Sequence, residues 1–258
     1  PPSMPAPGSP PGLTVDASRL PVAGVGSSVP RIGRASYSKG PGDGSAQFRT
    51  NCAFSHVRFD DPIVFPGRVG ASHLHTFFGN TAVDGNSTPE SVRTSGSSTC
   101  AGGTANRSAY WAPSVVDTAT GVPVISDANP VDRGHFLQVY YKTGFDGVLP
   151  ATVQNFPVGL RMIAGSATST GPQPKVVTYG CEEGSAQTVS HVTSFPRCAP
   201  GQIFKMSVEF PQCWDGVNLD SPDHKSHMSY GAGWPDKGCP ASHPVPLAQI
   251  TQNYRYRV

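Results

Sequence analysis

Apolar residues in this chain come in short runs, each closed by Gly, Pro, Asn or Asp. The runs fall at 53–59, 63–65, 136–141, 161–164, 175–179 and 203–210. Two of them, FLQVYY at 136–141 and IFKMSVEF at 203–210, alternate with a period of two, the pattern of a strand with one face buried. No segment carries a helical stripe over about ten residues. Many short strands with turn-rich links predict an all-β or mainly β single domain of the β-sandwich or jelly-roll kind. Long loops at about 80–108 and 212–247 are the places to look for function.

Composition sharpens the outline. Gly 29 and Pro 27 make more than a fifth of the residues, and charged residues are 14% against a usual value of about 25%, so long solvated helices are not expected. The first twelve residues, PPSMPAPGSPPG, hold six prolines and two glycines and read as a linker or stalk. The expected division is therefore a Pro/Gly/Ser-rich extended segment at 1–45 and one β-rich domain at 46–258. The net charge is +2 and the 19 Lys and Arg are scattered, so nucleic acid is not an expected partner. No apolar stretch approaches the roughly 20 residues of a membrane span. The chain opens on Pro1, as a mature or trimmed form would.

The cysteines add a compartment. Cys52, Cys100, Cys181, Cys198, Cys213 and Cys239 are even in number and contain no Cys-x-x-Cys pair, which favours disulfides over a zinc ribbon or a redox site. Fifteen connectivities are open, and the gaps favour sequential pairing: Cys52 with Cys100, Cys181 with Cys198, Cys213 with Cys239. Disulfides persist in oxidising compartments, so an extracellular protein is expected.

Candidate chemistry is concentrated in two places. In SHLHTFFGN at 72–80, an extended backbone points His73 and His75 to one face, where they can ligate a metal or move protons. Between Cys213 and Cys239 lie Trp214, Asp215, Asp220, Asp223, His224, His227 and Tyr230, with His243 just beyond. A solvated loop needs no such density, although Asp also forms Asx turns readily. A buried imidazole or carboxylate must find a partner, so the two groups are expected to converge on one pocket.

With these motifs in view, the sequence resembles a family. RFDDPIVFPG, SHLHTFFGN, YWAPSV, CWDGVNLDSPDHKSHMSY and CPASHPVPL look like domain-of-unknown-function family 1996 over about residues 46–250. The resemblance implies a single folded unit in a secreted protein. Its motif positions are Asp60, Asp61, His73, His75, Asn80, Tyr110, Trp111, Asp215, Asp220, Asp223, His224, His227 and His243. Family members sometimes stand beside carbohydrate-binding modules, which makes wall or extracellular glycan the implied partner class, by association.

Three functions follow as expectations. A monomeric glycan hydrolase would use Asp215, Asp220, His75 and Asp60 as catalytic groups, because glycosidic hydrolysis ordinarily needs two carboxylates. Asp220 would be ionised and Asp215, beside Trp214, would be the second carboxyl. His73, Asn80, Trp214, His224 and Tyr230 would hold the substrate. Alternatively, His73, His75 and His227 bind zinc or copper, or the protein is a non-catalytic wall component. No nucleophile elbow or phosphate-binding Gly loop is present. Three disulfides leave no free thiol: titration of the denatured, unreduced protein is expected to find close to zero equivalents, and one or more counts against the pairing.

Overall fold

The computed structural model describes residues 14–31, 45–125, 137–184, 186–232 and 238–258. The linker expected at 1–45 therefore falls outside them at 1–13 and 32–44, as does Phe136 at the start of the expected 136–141 strand. In chain order the strands are β1 (Gln47–Cys52), β2 (Phe54–Arg58), β3 (His75–Gly79), β4 (Ala109–Pro113), β5 (Leu137–Lys142), β6 (Val177–Glu183), β7 (Ala186–Val192) and β8 (Ile203–Glu209). Two-residue strands β9 (Cys213–Trp214), β10 (Met228–Ser229) and β11 (Val245–Pro246) follow, and β12 (Gln249–Arg257) closes the chain. A six-stranded antiparallel sheet runs β1-β5-β12-β8-β6-β7, beside three-stranded sheets β2-β3-β4 and β10-β9-β11. The protein is mainly β and sandwich-like.

Alternation explains the layering. Opposed residues share a face of a sheet, as do residues two apart on a strand. The register therefore places Leu137, Val139, Tyr254, Tyr256, Met206 and Phe204 on one face of the large sheet, and Gln138, Tyr140, Thr251, Asn253, Ser207 and Glu209 on the other. The apolar face meets the small sheet. Phe78 of β3 lies 5.6 Å from Tyr254, centroid to centroid, and the hydroxyls of Tyr110 and Tyr141 are 2.8 Å apart. Burying one such ring contributes roughly 1.5–3 kcal/mol. Phe77 turns the other way, stacked between His56 and Trp111.

Two apolar runs do not become strands. At 63–65, Pro62 offers no N–H, Asp61 Oδ1 accepts from the N–H groups of Ile63 and Val64, and Phe65 N–H bonds the Asp61 carbonyl, which winds the chain into a turn. At 161–164 the N–H groups of Arg161 and Ile163 donate to the carbonyls of Leu219 and His224. That partner is a loop, so no ladder forms. One short helix, α1 (Pro89–Thr94), begins on a Thr88 capping box completed by Ser91, with proline in its first turn where the missing N–H is harmless. Residues 14–31 lie along the body: Gly24 N–H donates to Ser55 O at 2.6 Å, Ser27 exchanges two backbone bonds with Ser98, and Arg31 N–H donates to Gly102 O.

The three disulfides pair sequentially as expected, Cys52–Cys100, Cys181–Cys198 and Cys213–Cys239, and no cysteine is free among the described residues. The first closes a sequence separation of 48 and the second one of 17. In the chain-entropy picture, replacing both cysteines of the first pair by Ala costs about 4 kcal/mol and of the second about 3 kcal/mol. Urea unfolding of the two double variants measures the difference; the reverse order would show that native-state strain, not loop length, sets the cost.

Candidate functional site

The first group of candidates sits where β2 and β3 meet. Strand β3 begins at His75, so His73 lies in a bend outside it, yet the two rings are 4.3 Å apart and tilted by 53°. His75 is 4% exposed and Asp60 1%. The Asp60 carbonyl, which can only accept, faces His75 Nδ1 at 2.9 Å, so Nδ1 carries the proton. His75 Nε2 then offers a lone pair toward Asp61 Oδ2, 3.9 Å away. Burial, and then the neighbouring His73, push the His75 imidazole down to about 4, which keeps it neutral at pH 7. His56 and His73 are lowered as well, first by burial. Asp60 Oδ1 accepts from Gly70 N–H, while Asp60 Oδ2 and His73 Nε2 are buried without a partner.

Two other candidates on this side are committed to the fold. Asn80 is fully buried, its Nδ2 donating to the carbonyls of Val92 and Ser95 and its Oδ1 accepting from Ala82 N–H. No donor remains for a ligand. Trp111 stacks on Phe77 at 5.5 Å.

The second group lies on the Cys213–Cys239 loop, and here the aspartates divide. Asp215, expected as the second carboxyl, accepts from the N–H groups of Val217 and Asn218 and from Asn218 Nδ2. Burial pulls its carboxyl up, but those bonds and the nearby His227 outweigh it, so the group is held below the usual range. Asp223 accepts from Ser226 N–H, Ser221 Oγ, Lys225 N–H and Ser226 Oγ, and these hold it well below. Both are turn formers. Trp214 donates its indole N–H to Asn218 O at 2.6 Å, closing the same turn.

Asp220 is different. Its Oδ1 lies 2.7 Å from His224 Nδ1 and also accepts from Ser221 N–H, and its Oδ2 lies 3.6 Å from Arg161 Nη1. His224 holds a left-handed backbone, φ +56°, a strained state for a non-glycine residue. The carboxylate directs the Nδ1 proton to itself and leaves His224 Nε2 as the acceptor. Nε2 makes no hydrogen bond to the described residues, and the side chains of His224 and Asp220 are 16% and 28% exposed. Arg161, which sequence reading did not single out, is clamped by its backbone: its N–H donates to Leu219 O and its carbonyl accepts from His227 Nε2. His227 also bonds Ser221 Oγ through Nδ1, so both its ring nitrogens are occupied. His243 bonds Ser226 O and Ser242 Oγ. Tyr230 donates to Glu209 O at 2.8 Å.

No hydrogen bond, ion pair or ring contact among the described residues joins His73 and His75 to the Cys213–Cys239 loop. Among the same residues no three His, Cys, Asp or Glu side chains form a metal-holding group. Glu209, at the end of β8, is a further residue missed in the sequence. Burial raises its carboxyl, with Lys142, Asp146 and His191 acting on its charge.

The family model described as Domain of unknown function (DUF1996) matches residues 61–258, and the chain belongs to that family. No curated protein matches. No solved structure matches either.

His75 makes stability depend on pH. Its folded value lies below its ordinary 6.5, so on acidification the unfolded chain takes up the proton first. The stabilisation is complete above about pH 6.5 and is lost progressively toward pH 4, by about 3 kcal/mol. Urea unfolding at pH 7.5 and pH 4.5 is expected to show this loss, and a smaller one in His75→Gln. An unchanged slope in that variant would assign the loss to other groups.

Proposed function

We propose that the protein is a secreted hydrolase that acts on an extracellular or cell-wall glycan, with His224 moving protons and Asp220 orienting it. The observation that carries this reading is the 2.7 Å bond from His224 Nδ1 to Asp220 Oδ1, with Nε2 left without a partner among the described residues on a partly exposed side chain. A carboxylate on Nδ1 fixes the tautomer and stabilises the imidazolium that forms when Nε2 takes a proton. Secretion is supported by the three disulfides and by the lack of a described helix long and apolar enough to cross a membrane. Glycan as the substrate class rests on the company that family members keep.

Incubation with a panel of insoluble wall polysaccharides, followed by mass spectrometry of the soluble products, tests the reading. The wild type is expected to release product from at least one of them, and His224→Asn and Asp220→Asn to lose at least about a hundredfold in rate. Asn is chosen because it tolerates the left-handed backbone. Pull-down without any released product would favour a non-catalytic glycan-binding protein.

A further inference from the structure

A single proton-moving histidine limits which bond can be broken. Cleaving a glycosidic bond ordinarily takes two carboxyl groups, one giving its proton to the leaving oxygen while the other activates water or attacks carbon. Around His224 there is one. Asp220 is the only carboxylate among the described residues that bonds His224 or Arg161. Asp215 and Asp223, its neighbours in sequence, brace their own turns: both oxygens of Asp215 and Oδ1 of Asp223 accept from N–H, amide and hydroxyl donors within a few residues. Hydrolysis of an ester asks for less: one base takes a proton from water and returns it to the leaving oxygen, and a cation or donor meets the charge that gathers on the carbonyl oxygen.

We propose, resting on the His224–Asp220 reading above, that the bond hydrolysed is a short acyl ester carried on the glycan, an O-acetyl group, rather than a glycosidic bond. His224 Nε2 takes a proton from water as the water oxygen bonds the acyl carbon, and the carbonyl electron pair moves onto its oxygen. The Arg161 guanidinium, 32% exposed beside Asp220, is placed to meet that charge. The carbonyl then reforms, the bond to the sugar oxygen breaks with its electron pair on that oxygen, and the proton on Nε2 passes to it. Acetic acid and a free glycan hydroxyl are the products; no other reactant is needed. Asp220 is a positioning residue. Arg161 is a catalytic one, fixed by the backbone bonds to Leu219 and His227.

The test uses the full chain with acetylated xylan and acetylated glucomannan, the same polymers after alkaline deacetylation, and 4-nitrophenyl acetate. Acetate and reducing ends are measured separately. Acetate is expected from at least one acetylated polymer without matching reducing ends. His224→Asn and Arg161→Gln are each expected to lower its release at least a hundredfold, Arg161→Lys to lower it less than Arg161→Gln, and near-UV circular dichroism to stay unchanged. Asp220→Asn should also move the rising limb of the pH–rate profile to lower pH, which a purely structural residue would not do. Reducing ends without acetate would overturn the ester assignment and leave the hydrolase reading standing. Neither product from any polymer would overturn both. Acetate release unaltered in His224→Asn and Arg161→Gln would show that the chemistry lies elsewhere in the chain. If a variant fails to fold, the wild-type product pattern still decides the bond.

Discussion

The ring of Phe78 lies against that of Tyr254 in the middle of the protein, and neither reaches water. Phe78 belongs to the small sheet and Tyr254 to the central strand pair of the large one, so this contact sets how the layers face each other. It also carries a constraint. A buried tyrosine hydroxyl is costly to leave unbonded, and that of Tyr254 finds the Trp111 carbonyl and the Gln252 side chain. The apolar contact therefore fixes the position of β4 as well as the spacing of the sheets. The Cys52–Cys100 bond ties the loop after β3 to the same core, and the Gly79 end of β3 is held in turn, its carbonyl accepting from Thr99 N–H.

The loop between Cys213 and Cys239 shows how similar side chains part company by their partners. An aspartate that accepts only from the backbone N–H, amide and hydroxyl groups of its own turn, as Asp215 and Asp223 do, is a brace for that turn. Once a carboxylate shares its oxygens with an imidazole and a guanidinium, as Asp220 does, its charge is directed at groups that can react. Arg161 reaches this arrangement from outside the loop, and its two backbone bonds let a segment some 60 residues upstream set the geometry without forming a strand.

The sheet architecture was legible because period-two alternation survives in the sequence: 203–210 became β8 and 136–141 became β5 within a residue or so at each end. The disulfides were legible because short gaps close most easily. Three things escaped. The run at 63–65 is apolar enough for a strand, but Asp61 supplies a cap that hydropathy does not register. The helix at Pro89–Thr94 is too short to show a stripe, although Thr-Pro-Glu-Ser at 88–91 is a start signal. Arg161 stood in an apolar run, so nothing local marked it; its role exists only through Leu219, Asp220 and His227. The Asp220–His224 pairing was within reach, since both residues were singled out, but which of three aspartates would meet the imidazole depends on turn geometry that a list of residue types does not contain.

Residues 14–31 have an effect beyond packing. The backbone near Ser98 is flanked on one side by Ala53 and Gly79, through bonds to Thr99. On the other side Ser27 takes both the N–H and the carbonyl of Ser98, with Gly24 close enough to the Phe54 carbonyl that a Cβ there would stand 2.4 Å from its oxygen. Without that segment the stretch would present unpaired backbone groups along an exposed margin, a template on which a second molecule can add its own strand. The chain seals the margin with residues 14–31, and so guards a sheet-rich protein against sticking to itself.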